Sequence, residues 1–145
     1  MRFRRRRDDP TSTSSPDPVR DPGPVPAGWE ELEWELTERA GRTASDPTAA
    51  VVLVVEGTAH YVQWLGMPDE ALYLEASSTF AASQQERLVA LGWQPPRPKG
   101  PANTPNWNQY RVAPIDPGEA ARTTVHTLAD VYGATPAGIQ IDVVA

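Results

Sequence analysis

Up to residue 26 the chain carries almost no apolar pattern. Between residues 8 and 26, a stretch dominated by Pro, Asp, Ser, Thr and Gly, the only apolar side chains besides proline are Val19 and Val25. So little apolar surface cannot offset the cost of ordering a backbone, so residues 1–26 read as a disordered tail and residues 27–145 as one domain. From Trp29 the pattern changes. Trp29, Leu32, Leu36 and Ala40 fall within an arc of roughly 80° at helical spacing, the stripe of a helix that buries one face. Gly41 weakens that helix, and Asp46-Pro47 ends it. Trp34 lies roughly 140° from Trp29, off the stripe.

Three strands are predicted next. Residues 49–56, Ala-Ala-Val-Val-Leu-Val-Val-Glu, form an unbroken β-branched run of the kind expected where both faces of a strand are covered. Gly57 marks a turn. Residues 59–65 then alternate, with His60, Val62 and Trp64 on one face and Tyr61, Gln63 and Leu65 on the other. After the turn Gly66-Met67-Pro68-Asp69, residues 71–77 place Leu72, Leu74 and Ala76 inward and Tyr73, Glu75 and Ser77 outward. Connections this short require antiparallel neighbours.

Ser83-Gln84-Gln85-Glu86 has the form of a capping box opening a short helix through Leu88 and Leu91 to Gly92. Residues 92–112 are rich in proline and asparagine, with Trp93, Trp107 and Tyr110 as aromatic anchors. They predict two short strands, near Trp93 and near residues 106–112. Asp116-Pro117-Gly118-Glu119 starts a last helix, with Ala120, Ala121, Thr124, Val125, Leu128, Val131 and Tyr132 on one face and Gly133 as its left-handed terminator. Residues 139–144 read as a final edge strand or an extended tail. The expected fold is α+β, an antiparallel sheet of about five strands packed by helices in the order α-β-β-β-α-β-β-α.

Several of these segments together resemble the TY-Chap domains of actinobacteria, relatives of YbjN and of the type III secretion chaperones. The resemblance covers about Trp29 to Ile141. It rests on the element order, on Tyr61-Val62-Gln63-Trp64 and Leu91-Gly92-Trp93, and on Pro105-Asn106-Trp107 and Thr127-Leu128-Ala129-Asp130-Val131-Tyr132-Gly133. It implies a chaperone-like protein-binding domain with no catalytic residues, and it implies a homodimer. The proline-laden loop Gln94-Pro95-Pro96-Arg97-Pro98-Lys99-Gly100-Pro101 departs from the family pattern and leaves partner geometry near it undefined.

Charge and chemistry narrow the picture further. The net charge of −6 conceals two regions: five arginines (Arg2, Arg4, Arg5, Arg6 and Arg7) open the chain, leaving 8 basic against 19 acidic side chains beyond them. The body repels phosphates and the tip attracts them, so contact with nucleic acid or anionic lipid is expected only through residues 1–7. That basic tip is followed by Asp8-Asp9-Pro10 rather than an apolar stretch, so no secretion signal is expected; no run approaches the roughly 20 apolar residues of a membrane span, and a cytoplasmic location follows. Arginine supplies 12 of the 13 basic residues beside 16 prolines, the bias of a GC-rich genome.

No cysteine exists to bind metal or act as a nucleophile, and His60 and His126 have no ligand cluster around them. His126 is expected to face solvent. No Gly-x-Ser-x-Gly elbow or phosphate loop is present. The acidic run Glu30-Glu31-x-Glu33-x-Glu35 fits a solvated helix start. No catalytic site, cofactor or metal is therefore expected. A hydrolase reading would need a pocket joining a histidine to a carboxylate and a hydroxyl.

The residues with binding character are aromatic. Trp34 either lies under the tail or loop 94–105, or meets a partner. Tyr61 and Tyr73 either mark an uncovered sheet face or pair across strands. The leading expectation is a non-enzymatic, homodimeric protein-binding module using Trp34, Tyr61 and Tyr73. The alternative is a regulator tethered to nucleic acid or an anionic membrane through its arginine-rich start.

Overall fold

A computed structural model describes residues 21–79, 81–97 and 106–144. Five strands, β1 (Ala50–Val55), β2 (Tyr61–Met67), β3 (Ala71–Ala76), β4 (Trp107–Arg111) and β5 (Ile139–Val144), form one antiparallel sheet in the order β4-β3-β2-β1-β5. Three helices accompany it: α1 (Glu30–Ala44), α2 (Ala82–Ala90) and α3 (Pro117–His126), the last running on into a wide turn at Thr127–Val131. The fold is α+β as expected, with α1 packed on α3, β2 and β3.

One sheet face holds the core. Val51, Leu53 and Val55 of β1, Val62 and Trp64 of β2, and Leu72, Leu74 and Ala76 of β3 are buried against Trp29, Leu36 and Ala40 of the α1 region and Ala120, Ala121, Val125 and Leu128 of the α3 region. The α3 residues are those that helical spacing placed on one face. The indoles find buried hydroxyls: Trp64 Nε1 donates to Thr124 Oγ1 (3.0 Å) and Trp93 Nε1 to Thr127 Oγ1 (2.9 Å). A buried indole needs such a partner, which explains threonines on an otherwise apolar face.

Arg111 and Glu119 form a two-pronged pair in the interior, with Nε–Oε1 2.9 Å and Nη2–Oε2 2.8 Å, completed by Thr123 Oγ1 at 2.6 Å from Glu119 Oε2. Gly66 sits where α1 ends against β2. A methyl group there would overlap the carbonyl oxygens of Thr43 and Asp46.

Five expectations are corrected. The stretch at Trp93 adds only the bridge Gln94↔Asn108, because Pro95 and Pro96 follow at once and cannot extend a ladder; residues 139–144 supply the fifth strand instead. The capping box does not form. Helix α2 starts at Ala82 with no side-chain cap, while Gln85 Nε2 donates to the Thr79 carbonyl (2.9 Å) and Gln84 Nε2 to that of Val131 (2.8 Å).

Strand β1 is covered on one face, not two: Val52 and Val54 are half-buried, between buried Val51, Leu53 and Val55. His126 does not face open solvent. Its Nδ1 lies 2.8 Å from Asp130 Oδ2, and its Nε2 lies 3.2 and 3.0 Å from the Gly23 and Pro24 carbonyls.

Those last contacts belong to the fifth correction. Residues 21–26, assigned to the tail, lie on α3. Arg122 Nε holds Asp21 Oδ1 at 2.8 Å, and Val25 packs against the core. The guanidinium of Arg122 keeps the Asp21 carboxyl below the usual carboxylate range.

Candidate functional site

Alternation along each strand decides what the second sheet face presents. With Val51, Leu53, Val62, Trp64, Leu72 and Leu74 turned to the helices, their neighbours turn the other way. The register aligns them in rows. One row runs Val144, Ala50, Leu65, Tyr73, Tyr110 across all five strands, and the next runs Asp142, Val52, Gln63, Glu75, Asn108. No described helix packs on this face. Its middle is half-buried by the side chains themselves, and its rims are open: Tyr110 is 49% and Val144 59% exposed.

This arrangement accounts for the unbroken apolar run of β1. Flanked by β2 and β5, β1 turns Ala50, Val52 and Val54 to this uncovered side.

Tyr61 and Tyr73 both lie here. Tyr73 stands directly opposite Leu65 on one side and Tyr110 on the other. Tyr61 Oη accepts from Asn106 Nδ2 at 3.0 Å. Both phenols are pushed above their ordinary range, first by burial and then by the negative Glu75 near them, which the Asn106 hydrogen bond partly opposes at Tyr61. The charged side chains of the rows, Glu75 and Asp142, are both acidic.

Trp34 is elsewhere. It is 66% exposed on α1, in the helix layer on the opposite side of the sheet from the tyrosines. No described residue covers it, and loop residues 98–105 lie outside the described residues. The structure therefore joins Tyr61 with Tyr73 and separates both from Trp34. Arg2, Arg4, Arg5, Arg6 and Arg7 also lie outside the described residues.

Tyr110 was missed as a surface residue. It was grouped with Trp93 and Trp107 as an aromatic anchor of residues 92–112, and those two are buried. The signal was present: Trp107 and Tyr110 are three apart, so a regular strand puts them on opposite faces.

At one end of the face a depression of about 570 Å³ is lined by residues including His60, Tyr61, Ser77, Thr79, Gln84 and Asn106. His60 stacks on Tyr132 at 4.4 Å between ring centroids, with its Nδ1 3.2 Å from Ser77 Oγ. That hydroxyl already accepts from the Tyr61 amide (3.0 Å) and donates to Tyr132 Oη (3.3 Å), while Tyr132 Oη donates to the Ser77 carbonyl (2.8 Å). Among the described residues of the lining there is no carboxylate beside the imidazole, and His60, Ser77 and Tyr132 form one hydrogen-bonded and stacked group. Among the described residues no three His, Asp or Glu side chains gather as a metal site, and no helix is long and apolar enough to cross a membrane.

A five-stranded antiparallel sheet with helices on one side and an apolar open face describes a binding domain. The family model for the "T3SS (YopN, CesT) and YbjN peptide-binding chaperone 3" domain, TY-Chap3, matches residues 23–143, and the chain belongs to that family. The matched span begins within the segment docked on α3 and reaches into β5 as far as Val143. No curated protein and no solved structure matches the chain.

Proposed function

We propose that this domain binds extended protein segments on the open sheet face, as a chaperone or adaptor without catalytic activity of its own. The observation that carries the reading is the row Val144, Ala50, Leu65, Tyr73, Tyr110, an apolar and aromatic band that crosses five strands, half-buried in its middle and open at both rims, with no described helix over it. Membership of a peptide-binding chaperone family supports it. The acidic charges beside that band, Glu75 and Asp142, favour a segment with apolar side chains interspersed with lysine or arginine. Half-buried tyrosines suit the task because each supplies a large contact area at little cost in rotamer freedom.

Fluorescence anisotropy with labelled peptides of about ten residues, apolar and basic in alternation, tests the reading. Wild type binds, and Tyr73→Ala and Tyr110→Ala each weaken binding about tenfold, as truncating an aromatic anchor does. Neutral and acidic peptides of equal apolar content bind less well. Binding unaffected by both substitutions removes the open face from the mechanism.

Trp34 offers a second contact surface in the helix layer, either for a client or for a second copy of the chain. The domain is expected to act as a homodimer in the cytoplasm. Light scattering on the eluting protein at tens of micromolar reads the oligomeric state directly.

A further inference from the structure

Strand β5 ends the sheet, and its hydrogen-bonding pattern defines what can join it. The Glu56 amide donates to the Gly138 carbonyl (2.9 Å), one step beyond the pair Val55↔Ile139. In an antiparallel ladder such pairs alternate, so Gln140, Asp142 and Val144 exchange hydrogen bonds with β1. The Val55 amide donates to His60 and the Gly66 amide to Ala49, which confirms that the odd-numbered residues of β1 serve β2. The amides and carbonyls of Ile139, Ile141 and Val143 consequently point away from the sheet. Among the described residues the Ile139 amide alone has a backbone partner, the Pro136 carbonyl of the preceding turn; the Ile141 and Val143 groups and the Ile139 carbonyl have none.

Edge strands are normally guarded by proline, lysine, a bulge or a covering loop. β5 reads Ile-Gln-Ile-Asp-Val-Val, and its one charge is Asp142. Val143, on the helix side of this edge, is 51% exposed.

We infer that two copies of this chain join edge to edge, β5 against β5, antiparallel about a two-fold axis through Ile141. In that register Ile141 meets Ile141 of the second copy with both backbone hydrogen bonds made, and Val143 meets Ile139, its amide donating to the Ile139 carbonyl while the Ile139 amide stays on Pro136. On the open face Gln140 stands opposite Asp142, an amide donor against a carboxylate, twice by symmetry. Competing registers are worse. Moving the axis to residue 142 sets the two Asp142 carboxylates against each other, and like charges directly opposite destabilise a sheet. Moving it to residue 140 draws Val143 past the strand onto the turn at residues 136–138. A one-residue slip presents backbone groups already bonded to β1.

The two-fold axis stands perpendicular to the sheet, so both helix layers lie on one side and both open faces on the other. The product is a continuous ten-stranded face. This inference rests on the proposed homodimer, and gives it a surface and a reason: the dimer doubles the length of the band to which an extended segment is laid.

Sedimentation equilibrium of the full chain, wild type beside Gln140→Asp and Gln140→Lys, tests the register. Both substitutions are at an exposed position, and circular dichroism verifies that each variant is folded. The aspartate faces Asp142 of the second copy and weakens the dimer about tenfold; the lysine pairs with it and tightens the dimer by a comparable factor, lost in high salt. The double variant Gln140→Cys/Asp142→Cys, in a chain with no other cysteine, becomes a covalent dimer on mild oxidation.

A dimer that responds alike to aspartate and lysine, or does not cross-link, overturns the β5 interface while leaving self-association to another surface. A clean monomer at about 100 µM overturns the interface and the homodimer together. Peptide binding, read separately by anisotropy on the same variants, reports on the open face whichever way the dimer result falls.

Discussion

The interior of this domain holds a charged pair, and its two members depend on each other. Arg111 and Glu119 are 6% and 8% exposed at their side chains, so neither can regain water if the other is lost. Glu119→Ala leaves a buried guanidinium uncompensated and is expected to cost about 3–5 kcal/mol, seen as a lower urea midpoint. Trp34→Ala removes an indole that touches little and should change stability by less than about 0.5 kcal/mol; a larger loss in thermal unfolding would mean that the ring is covered.

Tyr132 gives a pH prediction with a definite sign. Burial pushes its phenol up to about 12, with its bond to Ser77 opposing, so the folded state favours the neutral hydroxyl. The associated stability is complete below pH 10 and is lost as pH rises through about 12. Tyr132→Phe should flatten that alkaline limb in thermal melts taken across the same range.

At this scale the sequence was only partly readable. The offset of Trp34 from its stripe is a matter of counting residues along a helix, and the ring is exposed as the count implies. The Arg111–Glu119 pair was not readable, because a turn separates its members and only folding brings β4 beside α3. The placement of His126 failed for a related reason: a helix wheel shows which side is polar but not that residues 21–26 will lie across it.

Elements were legible where a local rule sufficed. Alternation in β2 and β3 and the Asp116 start of α3, whose carboxylate accepts from the Glu119 amide at 3.1 Å, follow from neighbours in sequence. The Gly133 terminator does too, adopting φ +68°. The strand near Trp93 and the capping box at Ser83 also satisfied local rules, yet tertiary partners displaced them. Gln84 and Gln85 found carbonyls elsewhere in the fold, and the open edge of β1 was filled by a segment from the far end of the chain.

One element junction is unusually intolerant. Because the end of α1 presses its carbonyls on Gly66, Gly66→Ala must push α1 off β2. We expect it to destabilise the domain more than the typical core substitution, by upwards of about 3 kcal/mol, with loss of soluble yield or a sharply lowered melting temperature as the readout.

On the scale of the whole molecule, the domain is two-layered: helices cover one side of a sheet and nothing described covers the other. Sequence patterning carried the class of fold and the sidedness of two strands. It misread the sidedness of β1, since an apolar run looks the same whether a second layer belongs to the same chain or is supplied by a client. That ambiguity is physical: Val52 and Val54 have the composition of an interior although no described layer covers them.

The segment at residues 21–26 has a practical consequence for experiments on this protein. Asp21 is clamped to α3 by Arg122, so this segment lies on the helical side of the sheet. A thiol introduced on this segment, in a chain that has no cysteine, anchors the protein by its helical side and turns the sheet's uncovered strands toward whatever is passed over them.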